Sequence, residues 1–209
     1  MVRNNEIKNI FLSASIPLPE RDAKYIDTAD IIAIRDAVIA FTTVVLPHNR
    51  IIWGGHPSIT PLIYYVMQKL NLGIQEHVTI YQSKYFEKFF PEDNNKFKNV
   101  KLTDVVENDR DKSLLHMRQR MLDESKFSAA VFIGGMEGVD GDKEKNIEGE
   151  YKMFIDRHPN ALILPIASTG AATKIIFDSL PSDHEAKHER FLKDYGYMSL
   201  FQKYLIDRI

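Results

Sequence analysis

Short runs of β-branched and aliphatic residues alternate along this chain with longer segments whose apolar positions recur every three to four residues. Ile7–Ala14, Arg50–Trp53, Ala129–Ile133 and Ala161–Ile166 read as buried parallel strands, and Val78–Tyr81 is a shorter fifth. Between them, Thr28–Val45 carries Ile31, Ile34, Val38, Phe41 and Val45 at helical spacing. Ile59–Leu72 repeats the pattern with Leu62, Val66, Met67 and Leu70, and Gly73 is a natural helix stop. Ser113–Ser125 and Asn146–Arg157 read as more polar helices. Strand and helix in alternation predict an α/β fold, Rossmann-like and doubly wound. Its mainly parallel sheet would have five strands or more, with helices on both faces.

Two regions depart from that rhythm. Residues 82–108 carry little pattern: Phe86, Phe89 and Phe90 precede Pro91 and the polar stretch EDNNKFKN. They read as a short helix, a surface turn and a small strand at Val100–Leu102. Beyond Ser179 the chain turns helical and charged, with Glu185–Lys193 and Met198–Ile209 as candidate helices of a C-terminal extension. No linker, internal repeat or low-complexity stretch interrupts the chain. Residues 1–209 are therefore read as one domain, with a core at about 7–180 and C-terminal helices at about 181–209.

Composition narrows the function classes. Of 209 residues, 44 % are hydrophobic and 27 % charged, and the net charge is −2, so no electrostatic pull toward nucleic acid or acidic lipid is expected. The absence of cysteine removes disulfides, thiolate metal sites and a cysteine nucleophile together. The opening MVRNNEIKNIFLSAS has no signal-peptide h-region, and no apolar run approaches a membrane span. A soluble, cytoplasmic protein is expected, with no membrane and no nucleic-acid partner.

The candidate chemistry lies where strands end. Trp53-Gly54-Gly55-His56-Pro57-Ser58, Gly134-Gly135-Met136-Glu137-Gly138-Val139 and Ala167-Ser168-Thr169-Gly170-Ala171-Ala172 each follow a predicted strand and lead toward a helix. Ser13-Ala14-Ser15 closes the first strand with small residues. In a doubly wound sheet such ends line one edge, where ligands bind. Glycine lets backbone N–H groups approach a phosphate or ribose, and helix N-termini favour anions. Neither a GxGxxG fingerprint nor a GxxxxGK[ST] loop is present, which disfavours dehydrogenases and P-loop NTPases.

These residues resemble the SLOG superfamily, which contains the Lonely Guy enzymes, DNA-processing protein A and nucleotide-sensing domains of bacterial defence proteins. The match is carried by Arg118, which precedes Gly134 by 16 residues, then by Gly134-Gly135 and Gly138-Val139. Glu150 followed by Tyr151 fits the family's glutamate better than Glu148 does, across an inserted loop at Asp140–Lys145. IFLSASIPLPERDAKY and WGGHPSITPLI are closer to the defence-associated groups, and the resemblance runs from about Ile7 to Phe177. In the enzymes, it implies that Arg118 and Glu150 act on the N-glycosidic bond of a nucleoside monophosphate. In the sensors, it implies that the same edge binds an ADP-ribose derivative or a cyclic nucleotide. Val139 where threonine is usual, and the insert before Glu150, favour binding over catalysis.

Other residues have competing readings. Arg21 lies in the loop after the first strand, as a phosphate clamp or as half of a surface ion pair with Asp22. His56 is a ligand contact or a helix cap. Arg118 and Arg120 point to different helix faces, and register favours Arg118 for the site. Trp53 reads as strand core. His184-Glu185-Ala186-Lys187-His188 matches HExxH, but Lys187 and the polar flanks favour a solvated helix. Asp140-Gly141-Asp142 reads as a turn rather than a calcium loop. No metal or cofactor is expected beyond the nucleotide ligand.

Three functions follow as expectations. The first is a sensor of a nucleotide-derived ligand, a homo-oligomer (dimer or tetramer) that acts alone or through a separate effector. The second is a nucleoside-monophosphate glycosidase, and the third a TIR-like interaction domain. The candidate binding set is Ser13, Ala14, Ser15, Arg21, Gly54, Gly55, His56, Gly134, Gly135, Met136, Glu137, Gly138, Val139, Ser168, Thr169 and Gly170, with Glu150 and Arg118 as the catalytic pair.

Overall fold

The apolar run NIFLSAS forms β1 (Asn9–Ser15), the strand on which the sheet is organised. The computed structural model describes residues 6–20, 23–70, 74–90, 92–136 and 149–209. β1 pairs in parallel with β2 (Arg50–Trp53) on one side and β5 (Ala129–Gly134) on the other. β3 (Val78–Ser83) and β4 (Asn99–Thr103) extend the sheet beyond β2, and β6 (Leu162–Ile166) closes it beyond β5. The order β4-β3-β2-β1-β5-β6 is fully parallel, so the winding reverses between β1 and β5. The fold is Rossmann-like α/β, with six strands among the described residues. A flavodoxin-like order would leave one strand outside β1, whereas here three lie on one side and two on the other. That arrangement does not carry the TIR-like expectation.

Alternation along β1 builds two cores. Ile10, Leu12 and Ala14 face α2 (Ile31–Val45) and α3 (Thr60–Leu70), while Phe11 faces α4 (Arg110–Asp123) and α5 (Glu150–Arg157). On that second face Phe11 meets Phe127, Phe132 and Phe154 at centroid distances of 5.7, 6.1 and 5.2 Å. α2 buries Ile34, Val38, Phe41 and Val45 of the predicted stripe, whereas Ile31, the first residue of the helix, is 44 % exposed. It begins at Asp30, whose carboxylate accepts from Ala33 N at 2.9 Å. The remaining described helices are α1 (Ala23–Ile26), α6 (Ala171–Ser179), α7 (Glu189–Lys193) and α8 (Tyr197–Tyr204).

The C-terminal helices are part of the first core. Phe201 packs edge-on to Phe41 at 5.5 Å, and Leu200, Phe201 and Leu205 are fully buried. Burying one such side chain contributes about 1.5–3 kcal/mol, so α8 is a second layer over α2. Tyr197 OH and Ser168 Oγ lie 3.0 Å apart, and burial pushes the Tyr197 hydroxyl up to about 12.

The extension departs from its predicted bounds. α7 starts at Glu189, not Glu185, because Lys187 Nζ donates to Phe177 O and Asp178 O at 2.6 and 3.0 Å and ties the chain to the end of α6. The last predicted helix is α8 followed by a 3-10 turn at Ile206–Arg208. No described helix is long and apolar enough to cross a membrane.

Candidate functional site

The carboxyl ends of β1, β2 and β3 open into a cleft of about 430 Å³. Its floor is the Gly54-Gly55 turn after β2. Ser13, Ala14 and Ser15 of β1 stand on one side and Gln82 and Ser83 of β3 on the other. Each glycine faces a different sheet face. A Cβ at Gly54 would stand 3.3 Å from Met117 Cε and 3.9 Å from Glu150 Oε1. One at Gly55, whose φ is +68°, would stand 2.7 Å from Gln82 Nε2. The left-handed backbone and the closeness of Gln82 both require glycine at position 55.

Glu150 is the charged centre of the wall. It is the first residue of α5, reached after Gly149 in extended conformation. Ser13 Oγ donates to its Oε2 at 2.5 Å, and Arg118 Nε, from α4, donates to Oε1 at 3.3 Å. The Arg118 and Glu150 side chains are only 9 % and 15 % exposed, so the pair is largely desolvated yet borders the cleft. Three elements distant in sequence thus converge on one carboxylate.

Arg120, two residues along α4, turns away and pairs with Glu124, as the register argument requires. Glu124 also accepts from Tyr81 OH at 2.7 Å and Lys101 Nζ at 3.0 Å. The Tyr81 hydroxyl, Lys101 and Arg120 together hold its carboxyl down at about 2. This network ties α4 to β3 and β4.

The other predicted residues divide clearly. Gly54, Gly55, His56 and Met136 border the cleft with the β1 residues. His56 also closes the start of α3: its carbonyl accepts from Ile59 N and Thr60 N, and its Nδ1 accepts from Ser58 N at 3.3 Å. Trp53 is strand core at 1 % exposure, and it borders the cleft as well.

Gly134 and Gly135 are engaged within the fold rather than exposed to the cleft. Gly134 N donates to Thr169 Oγ1 at 2.8 Å, and Gly135 N donates to Ser15 O at 2.9 Å. Ser168, Thr169 and Gly170 do not border the cleft. Ser168 Oγ donates to Asp194 O at 3.1 Å, and a Cβ at Gly170 would stand 1.8 Å from Thr28 O. Arg21, Glu137, Gly138 and Val139 lie outside the described residues, as do Asp140-Gly141-Asp142 and Glu148.

The HExxH residues do not share a helix. His184 Nδ1 accepts from Ala186 N within a turn, and His188 Nδ1 caps α7 by accepting from Arg190 N. Among the described residues no group of three or more His, Asp or Glu side chains gathers as a metal site.

The wall also contains residues that sequence reasoning passed over. Phe86, Phe89 and Phe90 follow β3 on and just after a 3-10 helix at Lys84–Phe89, which Ser83 caps by accepting from Tyr85 N at 3.2 Å. Gln82, Leu18, Leu114 and Met117 add apolar and amide lining, and the Arg110–Asp111 ion pair borders the cleft as well. Three phenylalanines within five residues were the available signal.

The model of a family described as the SLOG cluster3 family matches residues 24–205. No curated protein sequence matches the chain.

Proposed function

This chain belongs to the SLOG cluster3 family, and from that premise we propose that the cleft binds a nucleotide-derived ligand and that the protein acts as a sensor of it. The ligand class is an ADP-ribose derivative or a cyclic nucleotide. The observation that carries this reading is the Ser13–Glu150–Arg118 cluster beside the Gly54-Gly55 turn. Removing an ion pair from water is costly, and the stability gained in return is small. A pair kept at the rim of a cleft has the chemistry to exchange partners with a ligand. Glu150 would accept from ribose hydroxyls in place of Ser13, and Arg118 would turn toward a phosphate. Because Arg118 stands on α4 and Glu150 on α5, that exchange alters how the two helices are joined. The altered face would then be read by a second copy of the chain or by a separate effector.

Titration of ADP-ribose, cyclic ADP-ribose, NAD and AMP, followed by the melting temperature and the fluorescence of the single tryptophan, Trp53, tests the proposal. A binder at a hundred times its Kd stabilises the fold by about 2.7 kcal/mol. At least one nucleotide is expected to raise the melting temperature. A cooperative transition that none of them shifts would overturn the reading.

The same pair favours a second reading, hydrolysis of a nucleoside monophosphate. Water would attack C1′, the base would leave, and Glu150 would stabilise the sugar cation or activate the water. Release of free base from AMP, abolished by Glu150→Gln, would establish it.

A further inference from the structure

The cleft has two unlike ends, and the charged cluster occupies only one. At the other, Gln82 stands one residue before the end of β3, and Phe86, Phe89 and Phe90 follow on and just after the 3-10 helix. We infer that this second end is a nucleobase subsite, in which the Gln82 amide meets the edge of a planar heteroaromatic ring and the phenylalanines cover its face. The inference rests on the nucleotide-binding reading and deepens it.

Gln82 is built in as a fixed group. It is 7 % exposed and Asn94, on the 3-10 turn Glu92–Lys96, is 4 % exposed. Asn94 Nδ2 donates to Gln82 Oε1 at 2.7 Å, which sets the orientation of the amide. Nε2 is thereby held against the Gly55 turn, 2.7 Å from where a Cβ would stand. Asn94 Oδ1 has no partner among the described residues, so the amide pair is not saturated internally. An oriented neutral amide suits the donor and acceptor pattern of a base edge.

The aromatic residues supply the complementary surface. Phe89 is 78 % exposed, which leaves most of its ring surface available to a planar partner. Aromatic side chains beside a nucleotide cleft provide stacking that tolerates any base. The phenylalanines and Gln82 carry no charge, and the further charged pair on the cleft, Arg110 with Asp111, is already joined as an ion pair.

Spacing joins the two ends. Gly54 faces Glu150 and Gly55 faces Gln82, and these glycines are adjacent. From the fixed separation of consecutive Cα atoms, Gln82 Nε2 and Glu150 Oε1 lie within about 14 Å of each other. Within that limit one nucleotide spans both, with its base at Gln82 and its sugar at Glu150.

Calorimetric titration of AMP, NAD and ADP-ribose against ribose 5-phosphate, which has no base, tests the subsite on the full chain. At least one nucleotide is expected to bind wild type ten times or more as tightly as ribose 5-phosphate. Phe89→Ala, at an exposed position that does not threaten the fold, is expected to weaken that nucleotide by about tenfold. Its effect on ribose 5-phosphate is expected to be less than twofold. Gln82→Met, with its melting temperature as control, is expected to act in the same sense. A nucleotide that binds wild type, Phe89→Ala and a folded Gln82→Met with equal affinity overturns the base subsite and leaves the nucleotide-binding reading standing. Equal weakening of nucleotide and ribose 5-phosphate by Phe89→Ala also overturns it. Failure of all three nucleotides to bind wild type overturns both.

Discussion

Arg118 donates its Nε–H to Glu150 Oε1 at 3.3 Å, joining the middle of α4 to the first residue of α5 across 32 positions of chain. Only the Ser13 hydroxyl shares that carboxylate among the contacts of the described residues, and both charged side chains are largely withdrawn from water. Deleting one partner therefore leaves a charge that the remaining hydrogen bond does not neutralise.

Arg118→Met is expected to cost about 3 kcal/mol in urea unfolding, because it strands the Glu150 carboxylate. The paired change Arg118→Met with Glu150→Gln removes both charges and keeps an acceptor for Ser13. It is expected to recover most of that loss, giving a coupling energy of about 1–3 kcal/mol in the double-mutant cycle. Strict additivity of the two single changes would contradict the pairing.

The two glycine sites predict opposite outcomes. Gly170 has φ +71°, and a Cβ there would stand 1.8 Å from Thr28 O, so Gly170→Ala displaces backbone. A loss of about 3 kcal/mol or more is expected. At Gly54 the nearest atom to the added methyl is the flexible end of Met117, at 3.3 Å. Gly54→Ala is expected to stay within about 1 kcal/mol of wild type while narrowing the cleft beside Glu150. Thermal unfolding of the two variants gives the comparison.

Thr169 is a tie between strands rather than part of the cleft wall. Its hydroxyl accepts from Gly134 N at 2.8 Å and donates to Ile166 O at 2.5 Å, both buried. Thr169→Val leaves an N–H without an acceptor and is expected to cost about 1–3 kcal/mol. Slow exchange of the Gly134 amide in wild type, accelerated in the variant, would report the same bond.

Stability is expected to fall in two acid steps. Burial lowers the His158 pKa below its ordinary 6.5, so folding favours the neutral ring, and that stability is lost as pH drops below about 6.5. Glu124 is held at about 2, chiefly by the Tyr81 hydroxyl, against an ordinary 4.5. Its contribution is full above about pH 4.5 and disappears as pH falls toward 2, amounting to about 1–2 kcal/mol after solvent screening. Melting temperatures across pH 2–8 should show both steps, and Glu124→Gln should flatten only the lower one.

Much of this architecture is written in local patterns. The stripe Ile34, Val38, Phe41 and Val45 marks α2, and the β-branched runs mark the parallel strands, because burial imposes those periods directly. Strand order is a long-range property, and it decides which strand ends border the cleft. Ser168-Thr169-Gly170 ends β6, which lies on the far side of β5, whereas the cleft lies over β1, β2 and β3. Its small residues consequently serve packing. Gln82 lies one residue beyond the strand expected at Val78–Tyr81, and the phenylalanines fall on and just after a 3-10 helix, which has no sustained period to read. The helix expected at Glu185 fails for a tertiary reason, the anchoring of Lys187 to the end of α6. Arg118 and Glu150 were legible through resemblance, and only the structure brings Ser13 to them.

The most direct test is a crystal structure of the protein soaked with the nucleotide that raises its melting temperature most. The account predicts density in the cleft, with the ribose against Ser13 and Glu150, a phosphate near Arg118 and the Gly54-Gly55 turn beneath. Nucleotide density bound anywhere else, with the Ser13–Glu150–Arg118 cluster unchanged, would contradict it.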